Sequence, residues 1–155
     1  MANNVRIDIH NRSIDSRMKG ISKWNVPDSI KKNIVKFLEE LGLGKVNKGI
    51  KISESRQSKY LDILRLPLEF WNKSEDKINL KDIESFEKDL SSGKIKSNKG
   101  EAYSNSTKVD IRRGLKVYLR WKLGETKANQ LTDWLDTREV KKTPDYLKES
   151  EITIL

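Results

Sequence analysis

The chain contains no cysteine, which excludes disulfide bonds and thiolate metal sites. Its single histidine, His10, lies in a polar N-terminal segment, where a lone histidine is typically a surface residue. No run of apolar residues is long enough to span a bilayer. The N-terminal segment also has no apolar core of a signal peptide. These absences predict a soluble protein of the cytoplasm.

Sequence motifs of catalysis are missing as well. There is no HExxH zinc motif, no GxxxxGK phosphate loop and no GxSxG nucleophile motif. Carboxylate pairs such as Glu39 and Glu40 fall on predicted solvent faces, where a catalytic role is not expected. We therefore predict no catalytic residue, no metal site, no cofactor and no small-molecule substrate for this chain, which by itself is not an enzyme.

Positive charge is abundant and unevenly placed. The 155 residues include 32 Lys and Arg against 23 Asp and Glu, a formal net charge of +9. Between residues 94 and 122, nine basic residues stand against two acidic ones, a net of +7. Between residues 45 and 59, five stand against one, a net of +4. Basic charge concentrated in this way is typical of proteins that bind nucleic acid or an anionic membrane surface.

The hydrophobic pattern is helical throughout, because apolar residues recur every three or four positions and no segment alternates as a strand does. We predict an all-α fold, a compact bundle of four to five helices at residues 25–137. An N-terminal arm or helix is expected at 1–24, and a linker at 138–155 that leads into a further, missing domain. Pro67 lies inside one helical segment, so we expect a kink there or a break just before it. The predicted inward-facing residues are Ile30, Ile34, Phe37, Leu38, Leu41, Tyr60, Leu61, Leu64, Leu68, Trp71, Leu80, Ile83, Phe86, Leu90, Thr107, Ile111, Leu115, Tyr118, Leu119, Leu131, Trp134 and Leu135.

One segment carries a basic row beside its apolar stripe. Lys108, Arg112, Lys116 and Arg120 recur about one turn apart on the predicted helix. Asp110 is the acidic partner that this segment offers, and unpaired like charges repel one another. A bound polyanion removes the repulsion and releases counterions. We therefore favour contact with nucleic acid over a face that is only solvated.

Two predicted helices begin with hydroxyl side chains. Ser104 and Thr107 open one of them, and Ser55 precedes Arg56 in the other, which starts at Ser53 or Ser55. The free N–H groups at a helix start suit a phosphate or a base edge. Capping and packing explain each hydroxyl taken singly, but the repetition predicts one paired contact surface. Four aromatic residues are assigned to the core rather than to base stacking: Tyr60, Trp71, Tyr118 and Trp121.

The order and spacing of these segments resemble a known family. "SESRQSKYLDILRLPLEFW" at 53–71, "NLKDIESFEKDL" at 79–90 and "YSNSTKVDIRRGLKVYLRW" at 103–121 resemble the SAM-like core-binding domain of tyrosine recombinases. The flanking segments "HNRSIDSRMKGI" and "WLDTREVKK" are similar to those of archaeal, Xer-like integrases. The terminal "YLKESEITIL" resembles the start of the family's catalytic domain, with Lys148 in place of the usual threonine.

The resemblance implies the DNA-binding front half of a site-specific recombinase or integrase. In that family this domain and the catalytic domain close around the duplex as a clamp, with two helices toward the major groove. Here those are the helices that begin near Ser55 and Ser104. The family's catalytic residues belong to the other domain, so Tyr103 and Tyr146 are not its nucleophile. The implied partners are double-stranded DNA and other recombinase protomers on that DNA, with no membrane.

Arg56 and Arg112 are the predicted readers of base edges, because an arginine can bridge guanine O6 and N7. Two alternatives stay open, a standalone non-catalytic protein that binds DNA or RNA and a helical protein-interaction module with incidental basicity. The predicted DNA contacts are basic and hydroxyl residues at the two helix starts and in their flanking loops: Lys45, Lys48, Ser55, Arg56, Lys59, Lys94, Lys96, Lys99, Ser104, Thr107, Lys108, Arg112, Arg113 and Lys116.

Overall fold

The computed structural model describes residues 14–138, which form six helices. Two 3₁₀ turns, Ile21–Lys23 and Glu75–Lys77, precede the second and fourth helices. Within the described residues, the β structure is limited to an isolated bridge between Lys96 and Ala102, and the prediction of an all-α fold is confirmed. The helices are α1 (residues 14–20), α2 (Asp28–Leu43), α3 (Glu54–Trp71), α4 (Leu80–Ser91), α5 (Asn105–Leu123) and α6 (Glu125–Thr132).

The end of the predicted N-terminal arm belongs to the core. Ile14, Ile21 and Trp24 are buried in the same apolar cluster as α2 and α3. Residues 1–13 of the predicted arm and the predicted linker beyond Arg138 lie outside the described residues. The bundle therefore includes residues before position 25.

Most of the predicted apolar stripes are buried, but Tyr60 and Thr107 are half-buried and two large side chains are exposed. Leu80 is 43% exposed and Trp134 is 48% exposed, so these two predictions are wrong. Leu80 is the first residue of α4, and the buried residues of this helix begin one turn later, at Ile83. Trp134 follows the end of α6, where the helical period no longer applies, and its Nε1 donates to the Leu131 carbonyl at 2.8 Å.

Helix α3 runs through Pro67 without a break. Proline removes one backbone donor, but Leu64, Leu68 and Trp71 are buried on both sides of it, and Pro67 itself is buried. Packing of this face outweighs the lost hydrogen bond. Of the kink or break expected at Pro67, the break is absent, because tertiary contacts stabilise the helix on both sides of the proline.

Helices α3 and α5 cross closely at Gly114. A Cβ atom at this position would lie 2.8 Å from Cγ2 of Ile63, a distance that real Cβ atoms do not show. Glycine therefore sets how near the two backbones come. Arg56, near the start of α3, lines the same pocket as Arg120, near the end of α5.

A buried carboxylate joins three elements beneath this crossing. Glu75, in the second 3₁₀ turn, is 1% exposed. It accepts hydrogen bonds from the Tyr118 hydroxyl of α5 and from Nδ2 of Asn33 in α2, the latter at 3.1 Å. Burial and the neighbouring carboxylate raise the pKa of Tyr118. The phenol therefore stays a neutral donor at ordinary pH.

Candidate nucleic-acid interface

The crossing of α3 and α5 leaves a pocket of about 370 Å³ beside the loop that follows α2. Its lining combines apolar side chains with three basic residues and two aromatic residues. We call it the aromatic pocket. Its lining residues are Leu41, Lys45, Val46, Asn47, Ile52, Arg56, Tyr60, Val117, Arg120 and Trp121.

A second cleft of about 140 Å³ shares Arg56 and Tyr60 with the aromatic pocket and continues along α5. Asp110 is the acidic residue in its lining, and Lys59 Nζ pairs with its Oδ2 at 2.9 Å. The pocket and the cleft together form one surface, which we call the cationic groove. Its basic residues are Lys45, Arg56, Lys59, Arg113 and Arg120.

Two arginines of the cationic groove are exposed and available. Within residues 14–138, neither Arg56 nor Arg120 forms an ion pair. Arg113 is engaged differently, because its Nε donates to the Thr137 carbonyl at 3.0 Å. The groove thus carries free guanidinium groups on both of its walls, one from α3 and one from α5.

The predicted basic row of α5 is divided between two surfaces. Arg112 turns toward α4, where its Nη2 and Nε lie 2.7 and 3.0 Å from the two carboxylate oxygens of Glu87. Its side chain is only 13% exposed. Lys108 Nζ reaches the Ser91 carbonyl at 3.4 Å on the same side. The premise that Arg112 is unpaired is therefore wrong, because its partner comes from another helix rather than from α5 itself.

Each of the two hydroxyl-led helix starts is capped by a serine. Ser104 caps α5, accepting from the Thr107 N–H at 3.2 Å and donating to the Thr107 hydroxyl at 3.0 Å. In α3 the cap is Ser53, which accepts from the Arg56 N–H, and Ser55 is exposed one residue into the helix. The predicted paired surface of the two helix starts stays a prediction. Lys59, in the second turn of α3, pairs with Asp110, which lies six residues, or about 9 Å, along α5 from Ser104.

The lysine-rich loop before α5 is a compact turn at the Ser104 end. Ser97 N donates to the Glu101 carbonyl at 2.8 Å, and Lys96 bridges to Ala102. Lys94, Lys96 and Lys99 are exposed. Lys99 also lines a separate surface cavity of α3 that contains two carboxylates, so this end carries mixed charge. The remaining predicted contacts are the exposed Lys48 and the half-buried Lys116.

Tyr60 and Trp121 were assigned to the core, and both are only half-buried. Each packs against the buried Phe37, with ring centroids 5.6 and 5.3 Å away, while one side of each lines the aromatic pocket. Burial raises the pKa of the Tyr60 hydroxyl, although the nearby Arg56 guanidinium opposes the shift. The sequence signal for this site was Arg120 and Trp121, adjacent at the end of the basic row.

No family model matches this chain, and no curated protein or solved structure matches it either. None of the helices in residues 14–138 combines the length and apolar character needed to cross a membrane. In the same residues, no group of three or more His, Cys, Asp or Glu side chains is placed to hold a metal ion. What this surface can bind therefore has to follow from the basic and aromatic residues that line the cationic groove.

Proposed function

We propose that this chain is a cytoplasmic DNA-binding domain that grips duplex DNA through the cationic groove, as the core-binding domain of a site-specific tyrosine recombinase. The fragment itself is not an enzyme. Strand cleavage belongs to a catalytic domain on the same parent protein, and other protomers join it on the DNA. The motif order that resembles the recombinase family supports this identity.

The observation that carries the proposal is the pair of free arginines on facing walls of the groove. Arg56 and Arg120 are exposed and have no carboxylate partner among the described residues. Lys45 and Lys48 extend the same charge along the loop after α2. Phosphates spaced along a duplex neutralise such a row and release their counterions, which favours binding.

The test is fluorescence anisotropy with a labelled duplex of roughly 20 base pairs across a range of salt concentrations. If six basic residues contact phosphates, the slope of log K against log salt is about −5. Replacing both groove arginines, in Arg56→Gln with Arg120→Gln, removes two contacts and makes the slope shallower by about 2. Affinity falls for every duplex sequence.

The control pair is Lys36→Gln with Lys81→Gln, because both lysines are exposed on helices away from the groove and the net charge changes equally. A loss for the groove pair alone supports the proposal. Equal losses of affinity for the two pairs would show that net charge alone drives binding, and would contradict a role for the groove. A flat salt slope would favour the protein-interaction alternative instead.

Selection of bound duplexes from a random pool separates the recombinase from a standalone, non-specific binder. A recombinase domain enriches one half-site of roughly ten base pairs, the length read across one turn of DNA. Salt-dependent binding without any enriched sequence would favour the standalone alternative.

A further inference from the structure

The aromatic pocket has chemistry that a bound duplex does not need. Its volume of about 370 Å³ is at the lower end of the range for small-molecule sites, so it accommodates one small unit rather than a helix. Within the described part of the chain, its lining includes three basic residues and no acidic one. The pocket is therefore suited to an anionic group of limited size.

Two aromatic side chains are held rigidly at the same place. Tyr60 and Trp121 both pack on Phe37, which is fully buried and fixes them from behind. Trp121 also lies 5.8 Å from Tyr118, centroid to centroid, at a tilt of 34°. Because these rings are already held in place, a planar ligand can stack on them at little cost in conformational entropy.

The positive charge lies next to these rings. Arg56 is close enough to Tyr60 to influence the pKa of its hydroxyl, and Arg120 is the neighbour of Trp121 in sequence and in the pocket lining. Asn47 adds an amide that can both donate and accept. A ligand that satisfies all of these groups has a planar ring with hydrogen-bonding edges and a phosphate.

We propose that the aromatic pocket binds a single nucleotide unit, with its base against Tyr60 and Trp121 and its phosphate between Arg56 and Arg120. The unit has two possible sources, a nucleotide extruded from bound DNA or a free mononucleotide. The first source rests on the proposed function, whereas the second is independent of it.

The first arm of the test compares two labelled duplexes of equal length, one fully paired and one with a single unpaired nucleotide. Stacking of one base contributes enough for the bulged duplex to bind about ten-fold more tightly. Tyr60→Leu and Arg120→Gln each abolish this preference, whereas Lys36→Gln, an exposed change on α2, retains it. Circular dichroism checks that each variant is folded.

The second arm titrates adenosine monophosphate, with inorganic phosphate and adenosine as separate probes. Trp134→Phe removes the exposed tryptophan, and of the three that remain, Trp24 and Trp71 are buried while Trp121 lines the pocket. Quenching that a further Trp121→Phe abolishes therefore reports on the pocket. The free-nucleotide source predicts saturable quenching by the monophosphate, with at least ten-fold weaker binding of phosphate or adenosine alone.

A positive result in either arm that depends on Tyr60 and Arg120 supports the proposal and identifies the source. Equal affinity for the two duplexes, together with no advantage of the monophosphate over phosphate, overturns it. Salt-dependent binding of the paired duplex is a separate measurement, so loss of the nucleotide site leaves the proposed function intact.

Discussion

At the scale of single residues, Gly114 determines how α3 and α5 meet. Glycine in a helix interior is unfavourable by itself, because it loses more backbone entropy than alanine does. Its presence in α5 is explained by the 2.8 Å that would separate an added Cβ from Ile63 Cγ2. The cationic groove depends on this approach, because both of its walls belong to the crossing helices.

We expect Gly114→Ala to lower the free energy of unfolding by about 1–3 kcal/mol, because the added methyl group forces the helices apart. Urea denaturation measures the change. Gly20→Ala is the matched control, since no atom lies within 4 Å of a Cβ at residue 20 and its backbone is helical. In an Ile63→Ala background the cost of Gly114→Ala should shrink; an undiminished cost would contradict the steric explanation.

At the scale of elements, α5 is tied to α4 by the ion pair of Arg112 and Glu87. The pair is bidentate, and Ser91 Oγ donates to the same carboxylate at 2.8 Å. The side chains of Arg112 and Glu87 are 13% and 18% exposed, so solvent screens the pair little. This contact holds the face of α5 that carries Arg112 against α4. The face that carries Asp110 and Gly114 lines the cationic groove.

Glu87→Gln should therefore cost about 2 kcal/mol of unfolding free energy, the usual contribution of a hydrogen bond to a charged group. Asp28→Asn provides the comparison, because its pair with Lys31 is longer, at 3.7 Å, and the Asp28 side chain is 92% exposed. Exposed pairs of this kind contribute about 1 kcal/mol or less. Similar losses for both substitutions in urea denaturation would show that the α4 tie is no stronger than a surface pair.

The elements were predictable from sequence, while their contacts were not. The stripes of α2 and α5 follow from local periodicity, and their residues are buried as expected except for the half-buried Thr107. The ion-pair partner of Arg112 is Glu87, which lies 25 positions away on another helix. Within α5 itself, the acidic residue available as a partner is Asp110. Gly114 on an apolar helix face was the available signal of a close crossing.

At the scale of the whole molecule, Glu75 connects α2, α5 and the turn before α4 in one hydrogen-bond network. A buried carboxylate needs donors, since an unsatisfied one is costly. Sequence periodicity gives no hint of it, because Glu75 lies in a short 3₁₀ turn between helices. Because three elements pack around this one carboxylate, the free energy of unfolding depends on whether the Tyr118 hydroxyl can donate a hydrogen bond to Glu75.

Tyr118→Phe should lower the free energy of unfolding near neutral pH by about 1–3 kcal/mol, because Glu75 loses a donor. The pKa of Tyr118 is raised in the folded protein, so the unfolded chain releases this proton first as the pH rises above about 10. Wild-type stability then falls by up to about 1.4 kcal/mol per pH unit relative to Tyr118→Phe. Urea denaturation of both proteins from pH 8 to 11 measures the difference, and parallel curves above pH 10 would contradict it.

Under the proposed function, the spacing of basic residues along α5 determines which phosphates of a duplex the domain contacts. Lys94, Lys96 and Lys99 lie at one end of α5, and Arg56 with Arg120 lies near the other. The separation of about 24 Å along the helix equals about seven base pairs of B-form DNA. Seven base pairs are about two thirds of a helical repeat, so phosphate clusters contacted at this spacing would face different sides of a straight duplex.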